Sequence, residues 1–371
     1  MKKMLLLPVI ALHVLANSTM TNAAPTAECA FYVGTYTKPQ GSTGIYRYRL
    51  NTTTGALTAR GLAVETPNPT FLALAPNRWQ LYAVNEIRVG TVSAFSIAAD
   101  GTLNLINQQS SYGDGPCHLA VDESRKSVLV ANYGSGSVAA LPILADGSLG
   151  EVAIAVSHVG SGPNPKRQQS PHAHGIYTRD ALAYACDLGT DDVRIYRLDA
   201  ASGALTLDAR GGARLPPGSG PRHLAFHGNF AYVINELLNT IAVFRCEALT
   251  GELTPIQRLS TLPAGYTNPS TAAEIFIRPD GKFLYASNRG HDSLAVFSIG
   301  SDGTLTLINH ASTQGRTPRS FALDPSGRWL IAANQDSGNL VVFEIDATTG
   351  KLTPAGHTAQ IAEPVCVLFV P

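Results

Sequence analysis

"LYASNRGHDSLAVFSIGSDGTL", residues 284–305, contains within one stretch the pattern that decides the fold. An apolar run ends in Asn288 and Arg289, a second runs from Asp292 to Ile299, and Asp302-Gly303 opens a third. Asp-Gly between alternating runs marks a tight hairpin, because glycine accepts the positive φ that such a turn demands. The same turn recurs as TGAL at 54–57, DGTL at 100–103, DGSL at 146–149, SGAL at 202–205, TGEL at 250–253, DGTL at 302–305 and TGKL at 349–352. From glycine to glycine the steps are 46, 46, 56, 48, 52 and 47 residues. A near-constant period of this size denotes a repeat architecture.

Working outward, each turn follows a run such as GIYRYRL or GNLVVFEI, and ahead of that lies one ending in a polar residue, such as LYAVNE or AYVINE. Further upstream is a third type, NPTFLAL, GPCHLAV, PHAHGIY, GPRHLAF, TAAEIFI and TPRSFAL. With the run after each turn this makes four strands per repeat. Seven such repeats without helical periodicity predict an all-β fold, a seven-bladed β-propeller. AFYVGTYT at the amino end matches the second strand type, and EPVCVLFV at the carboxyl end matches the first. Their pairing would close the ring and remove its free edges.

Residues 1–24 read as a signal peptide, with Lys2 and Lys3 ahead of an apolar stretch from Leu5 to Ala16 and small residues near Ala23 and Ala24. That stretch is too short to span a bilayer. Residues 25–371 are expected to form a single propeller domain, periplasmic or secreted, with no membrane attachment in the mature form and a monomer favoured over an obligate oligomer. Lys+Arg (27) balance Asp+Glu (27), which removes any electrostatic case for nucleic acid as partner. The five cysteines are widely spaced without a CxxC, so neither a disulfide framework nor a zinc site is indicated.

Successive strands of a blade run antiparallel, so the start of the first and the end of the second share one face, opposite the glycine turns. That face collects His118, His172, His174, Arg222, His223, Glu274 and Arg319 from first strands, and Glu86, Asp187, Glu236 and Arg289 from second strands. The 56-residue step inserts SHVGSGPNPKRQQSPHAH, adding Lys166, Arg167 and Gln168 to the same rim. The repeated asparagines, Asn85, Asn132, Asn288 and Asn334, read as blade-tying groups, and Asp187 as a turn-fixing one. His118 and His223 can equally bond neighbouring blades or touch a ligand. Arg222, Arg289 and Glu236 read as functional, since charges in a confined mouth are costly without a partner. His172 and His174 alternate on a strand and could converge on a metal, with Glu236 or His118 as further ligands. The neighbouring arginines would repel a cation, so no metal is expected.

In order along the chain, YVGTYT with GIYRYRL, NPTFLAL with LYAVNE, GPCHLAVD with ANYGSGSV, RQQSPHAH with CDLGTDDVRIY, GPRHLAFH with INEL, and TPRSFALDPSGRWLIAANQDSGNLVVF resemble the propeller lactonases. These are the bacterial seven-bladed 6-phosphogluconolactonase type and the related fungal carboxy-muconate lactonizing enzymes. The resemblance covers essentially the whole mature chain and implies chemistry on a cyclic ester at the channel mouth, with a small-molecule lactone as partner and no obligatory cofactor. It places the catalytic histidine, glutamate and arginines of the lactonizing relatives at His174, Glu236, Arg222 and Arg289. His172, His118, His223, Arg167, Glu274 and Arg319 are expected to bind substrate. The family often has a histidine where this chain has Phe276. The expected reaction is hydrolysis of a sugar lactone, 6-phosphogluconolactone or, given the export signal, an unphosphorylated aldonolactone. Glu236 would act as base and His174 as proton donor, or the reverse. A lactonizing or isomerase reaction on an unsaturated dicarboxylate and a non-catalytic binding propeller are the alternatives.

Overall fold

The computed structural model describes residues 28–370 apart from Arg125, 200–201 and 209–211; the expected signal peptide lies outside the described residues. Seven antiparallel sheets form the blades, each of four strands except the fourth, where a two-residue strand, Ala213–Arg214, pairs as a fifth. The inner strands, Pro364–Val370, Leu72–Leu74, Pro116–Val121, Ala173–Arg179, Pro221–His227, Thr271–Ile277 and Pro318–Leu323, touch one another in a closed cycle. The first of these comes from the far end of the chain and pairs with Glu28–Thr35, Ala30 opposite Val370 and Gly34 opposite Cys366. The ring therefore closes as the terminal runs predict.

Alternation along each strand gives every blade two apolar faces, and seven apolar clusters result, each between one pair of neighbouring blades. Two sets of polar latches supplement them. On the glycine-turn face, second-strand tyrosines reach the next blade: Tyr32 donates to Gly101 O at 2.8 Å, and Tyr82, Tyr232 and Tyr285 to Gly147, Gly303 and Gly350 O at 3.0 Å. Gly303 has φ +83° and a Cβ there would strike the Phe230 ring, so both turn and packing require glycine. Trp329 Nε1 donates to Thr52 O at 2.9 Å and carries the pattern across the closure.

On the opposite face, Asn85, Asn132, Asn288 and Asn334 are wholly buried and donate to carbonyls of the preceding blade, Pro67, Ser111, Thr261 and Thr313. They tie blades, as expected. Asp187 likewise fixes a turn, its Oδ1 accepting from the amides of His172, Gly189 and Thr190. All five cysteines are free.

Candidate active site

Most inner strands begin with a β-bulge. The register slips between Pro116 and His118, Ala173 and Gly175, Pro221 and His223, Ala272 and Ile275, and Pro318 and Ser320. A bulge re-aims the extra side chain. The residues left out of register include Cys117, His174, Arg222, Glu274 and Arg319, and three of them, Cys117, His174 and Arg319, line one cavity of about 230 Å³ in the mouth of the ring. Tyr36, Glu86, Tyr133, Arg167, Glu236, Thr271 and Arg289 complete its wall. A larger cleft of about 420 Å³ at the rim, around Lys38 and Glu65, is open to solvent and contains no imidazole.

Glu236 is the centre of the cavity's charge. Its Oε1 accepts from Arg167 Nη2 at 2.7 Å, while Oε2 accepts from Arg222 Nε at 3.1 Å and lies 2.9 Å from Arg289 Nη2 in an ion pair. Burial pushes the carboxyl pKa up, but Arg289, Arg222 and Arg167 outweigh it and hold the group at about 2. Arg289 is brought down to about 10 by burial, against the pull of Glu236 and with the push of Arg222 and Arg319. Its buried Nε finds no hydrogen-bond partner among the described residues.

His174 Nε2 stands 3.9 Å from Glu236 Oε2, and its Nδ1 is 3.7 Å from Cys117 Sγ. Burial first, then Arg222, His223 and Arg319, lowers its pKa well below the ordinary histidine value, so the imidazole is neutral. Cys117 is pushed up by burial and stays a thiol rather than a thiolate. Across the cavity Arg319 lies over the Tyr36 ring and 4.0 Å from Glu86 Oε2, whose other oxygen accepts from Tyr36 Oη at 2.9 Å.

The other candidates lie beside or beneath the cavity. His172 stacks on Tyr133 and donates from Nδ1 to Tyr133 O at 2.8 Å. Alternation puts both histidines of PHAH on one face; the bulge singles out His174. His118, His172, His223 and Glu274 do not line the cavity, a departure from the expected substrate contacts, and Arg222, expected to be catalytic, lies behind Glu236 rather than in the wall. His118 Nδ1 accepts from Ile176 N, His223 Nδ1 meets Glu274 Oε1 at 2.7 Å, and Arg222 Nη1 donates to Ala273 O while lying against the His223 ring. Burial pushes Glu274 up to about 7 and His223 down, both toward their neutral forms. Phe276 lies outside the cavity, edge-on to Phe321. No motif in the sequence singles out Tyr36, Cys117, Tyr133 or Thr271, although Cys117 and Tyr133 adjoin His118 and Asn132 at the same strand ends.

A family model described as lactonase, 7-bladed beta-propeller, matches residues 30–369. The chain belongs to the seven-bladed β-propeller lactonase family. A relative named 6-phosphogluconolactonase from Bacillus subtilis is 40% identical over 346 residues, covering 91% of this chain and 97% of that lactonase. One of the same name from Formosa agariphila is 36% identical over 333 residues, 86% and 94% of the two chains. Among solved structures, a Pseudomonas aeruginosa periplasmic gluconolactonase superposes with a TM-score of 0.88 at 33% identity, covering 93% of this chain and 99% of its own.

Proposed function

We propose that the cavity at Glu236 hydrolyses the ring ester of a sugar lactone, with 6-phosphogluconolactone as the favoured substrate and unphosphorylated gluconolactone as a slower one. The observation that supports it most is a buried carboxylate shared by three guanidiniums beside a neutral imidazole, in a cavity sized for one sugar ring and smaller than the roughly 300–1,000 Å³ of sites for larger ligands. Relatives bearing the names 6-phosphogluconolactonase and gluconolactonase supply the substrate class.

In this reading Glu236 takes a proton from water as its oxygen bonds the ester carbon, and the negative charge moves to the carbonyl oxygen. Arg289, which lines the cavity beside Glu236, stabilises that oxyanion. The proton held by Glu236 passes to His174 Nε2, which faces it at 3.9 Å, and the C–O ring bond breaks as its electrons leave with the ring oxygen, which takes that proton from Nε2. Both groups are thereby restored, and the carboxylic acid formed loses its proton to solvent. Arg222, bonded to Glu236 and to Ala273 O, holds the carboxylate in place.

The test is hydrolysis of glucono-1,5-lactone and its 6-phosphate at near-neutral pH, with and without EDTA, corrected for the spontaneous rate. Turnover of either above background that EDTA leaves intact is expected; no turnover of either overturns the reading. Residues 1–24 are inferred to direct export, leaving a monomeric single-domain enzyme of residues 25–371 in the periplasm or outside the cell. A periplasmic protein among the similar structures supports this. Among the described residues no helix is long and apolar enough to cross a membrane.

A further inference from the structure

We propose that Arg167 is a latch on the catalytic base: it grips the substrate's exocyclic phosphate and, in turning toward it, uncovers Glu236 Oε1. This rests on the lactonase reading and goes beyond it by linking recognition of one end of the substrate to catalysis at the other.

Three observations carry it. First, the oxygens of Glu236 are unequally held. Arg222 and Arg289 both engage Oε2, whereas Oε1 has, among the described residues, only Arg167. Removing Arg167 leaves the carboxylate anchored by two guanidiniums and gives one oxygen to the cavity. While all three remain, the group is held at about 2, which makes it a weak base near neutral pH. The latched site is well built to store a base and poorly built to use one.

Second, Arg167 is the arginine able to move. Its side chain is 38% exposed, against 3%, 14% and 17% for Arg222, Arg289 and Arg319. Both its bonds, to Glu236 Oε1 and to Tyr133 Oη at 3.1 Å, come from the single nitrogen Nη2. Nε and Nη1 make no hydrogen bond among the described residues, so the guanidinium offers donors to an incoming anion before it releases the carboxylate. A planar fork suits a phosphate in two-point contact.

Third, its backbone is fastened. Gln168 is wholly buried and donates from Nε2 to Leu188 O and Asp191 Oδ1, both at 2.8 Å. Asn164 Oδ1 accepts from the amides of Lys166 and Arg167. The moving part is thus a side chain pivoting on a rigid strap at the cavity entrance, with exposed Lys166 next to it. In the cavity wall three guanidiniums, Arg167, Arg289 and Arg319, face two carboxylates, Glu86 and Glu236, an excess of positive charge that suits an anion.

The experiment separates the phosphate from the lactone. Hydrolysis of unphosphorylated gluconolactone is followed with and without inorganic phosphite as a free dianion, corrected for phosphite's own catalysis. Phosphite is expected to raise the wild-type kcat/KM by about 5-fold or more, with R167M showing no stimulation and R167K keeping part of it. R167M should also raise KM for the phosphorylated lactone by about 10-fold or more, the loss of a charged hydrogen-bonding pair. Absence of phosphite stimulation in the wild type overturns the latch. So does an R167M variant that lowers kcat for both lactones equally with KM unchanged. A wild type inert toward both lactones would instead bring down the lactonase reading.

Discussion

Glu236 remains ionised where water scarcely reaches because three guanidiniums face it, and this makes its charge measurable in two ways. E236Q keeps the shape and removes the base, so turnover should fall by about 10²–10⁴-fold with the fold intact. The folded pKa, about 2, lies below the ordinary value of 4.5, so the ionised group stabilises the fold above 4.5 and that contribution is lost as pH falls toward 2. Urea unfolding across that window should show a steeper loss in the parent than in E236Q. Glu274 behaves in the opposite sense. Raised to about 7 by burial, against the pull of Arg222, the Ile275 amide, His118 and Arg319, it favours the folded state when protonated. Stability should therefore decline as pH rises from 4.5 to 7 in the parent, and this slope should flatten in E274Q. Equal slopes in both proteins would refute the assignment. At this scale the residue types and their shared face were legible from strand order, but their depth was not. Arg222 and His223 are neighbours, yet one grips Glu236 and the other Glu274, Arg222 being the bulged residue left out of register between Pro221 and His223. Nothing in PRHL announces that irregularity; it arises from how each inner strand turns into the channel.

The blade is a hairpin stack whose polar latches lie at opposite ends of the same second strand. In the fifth blade, Tyr232 donates to Gly303 O of the next. Y232F removes that hydroxyl while keeping the ring, and should cost about 1 kcal/mol of stability with unchanged KM, read from urea unfolding and lactone kinetics side by side. The strap is held differently. Asp187 Oδ2 meets His158 Nδ1 at 2.5 Å, and His158 Nε2 meets Tyr196 Oη at 2.8 Å, all three buried. D187A should destabilise the protein by about 2–3 kcal/mol or more, because it strands His158 and the buried amides of Gly189 and Thr190 without their acceptor. These elements were largely readable: the glycine turns mark the hairpins, and asparagine at each strand end marks the blade ties. The strap was visible only as the longest interval between turns, since loops carry no periodicity from which to derive a path.

For the molecule as a whole, ring closure is the step on which the other interfaces depend. The last strand supplies Val365, Cys366, Val367 and Phe369, all buried, to the first blade. Ending the chain at Glu363 should abolish the cooperative thermal transition rather than merely lower its midpoint, because two blades then expose open edges and apolar faces. A truncated chain that melted cooperatively near the parent temperature would show that closure is dispensable. The repeat made this closure legible, because the two terminal runs match strand types missing from each other's ends. The same closure determines which way the enzyme faces its surroundings. The second strand of a blade runs toward the mouth and the inner strand runs away from it, so Glu28 and Val370 both emerge on the glycine-turn face. A carrier, resin or lipid surface coupled through either end would hold the propeller like a cup on its base, its opening turned outward to whatever diffuses past.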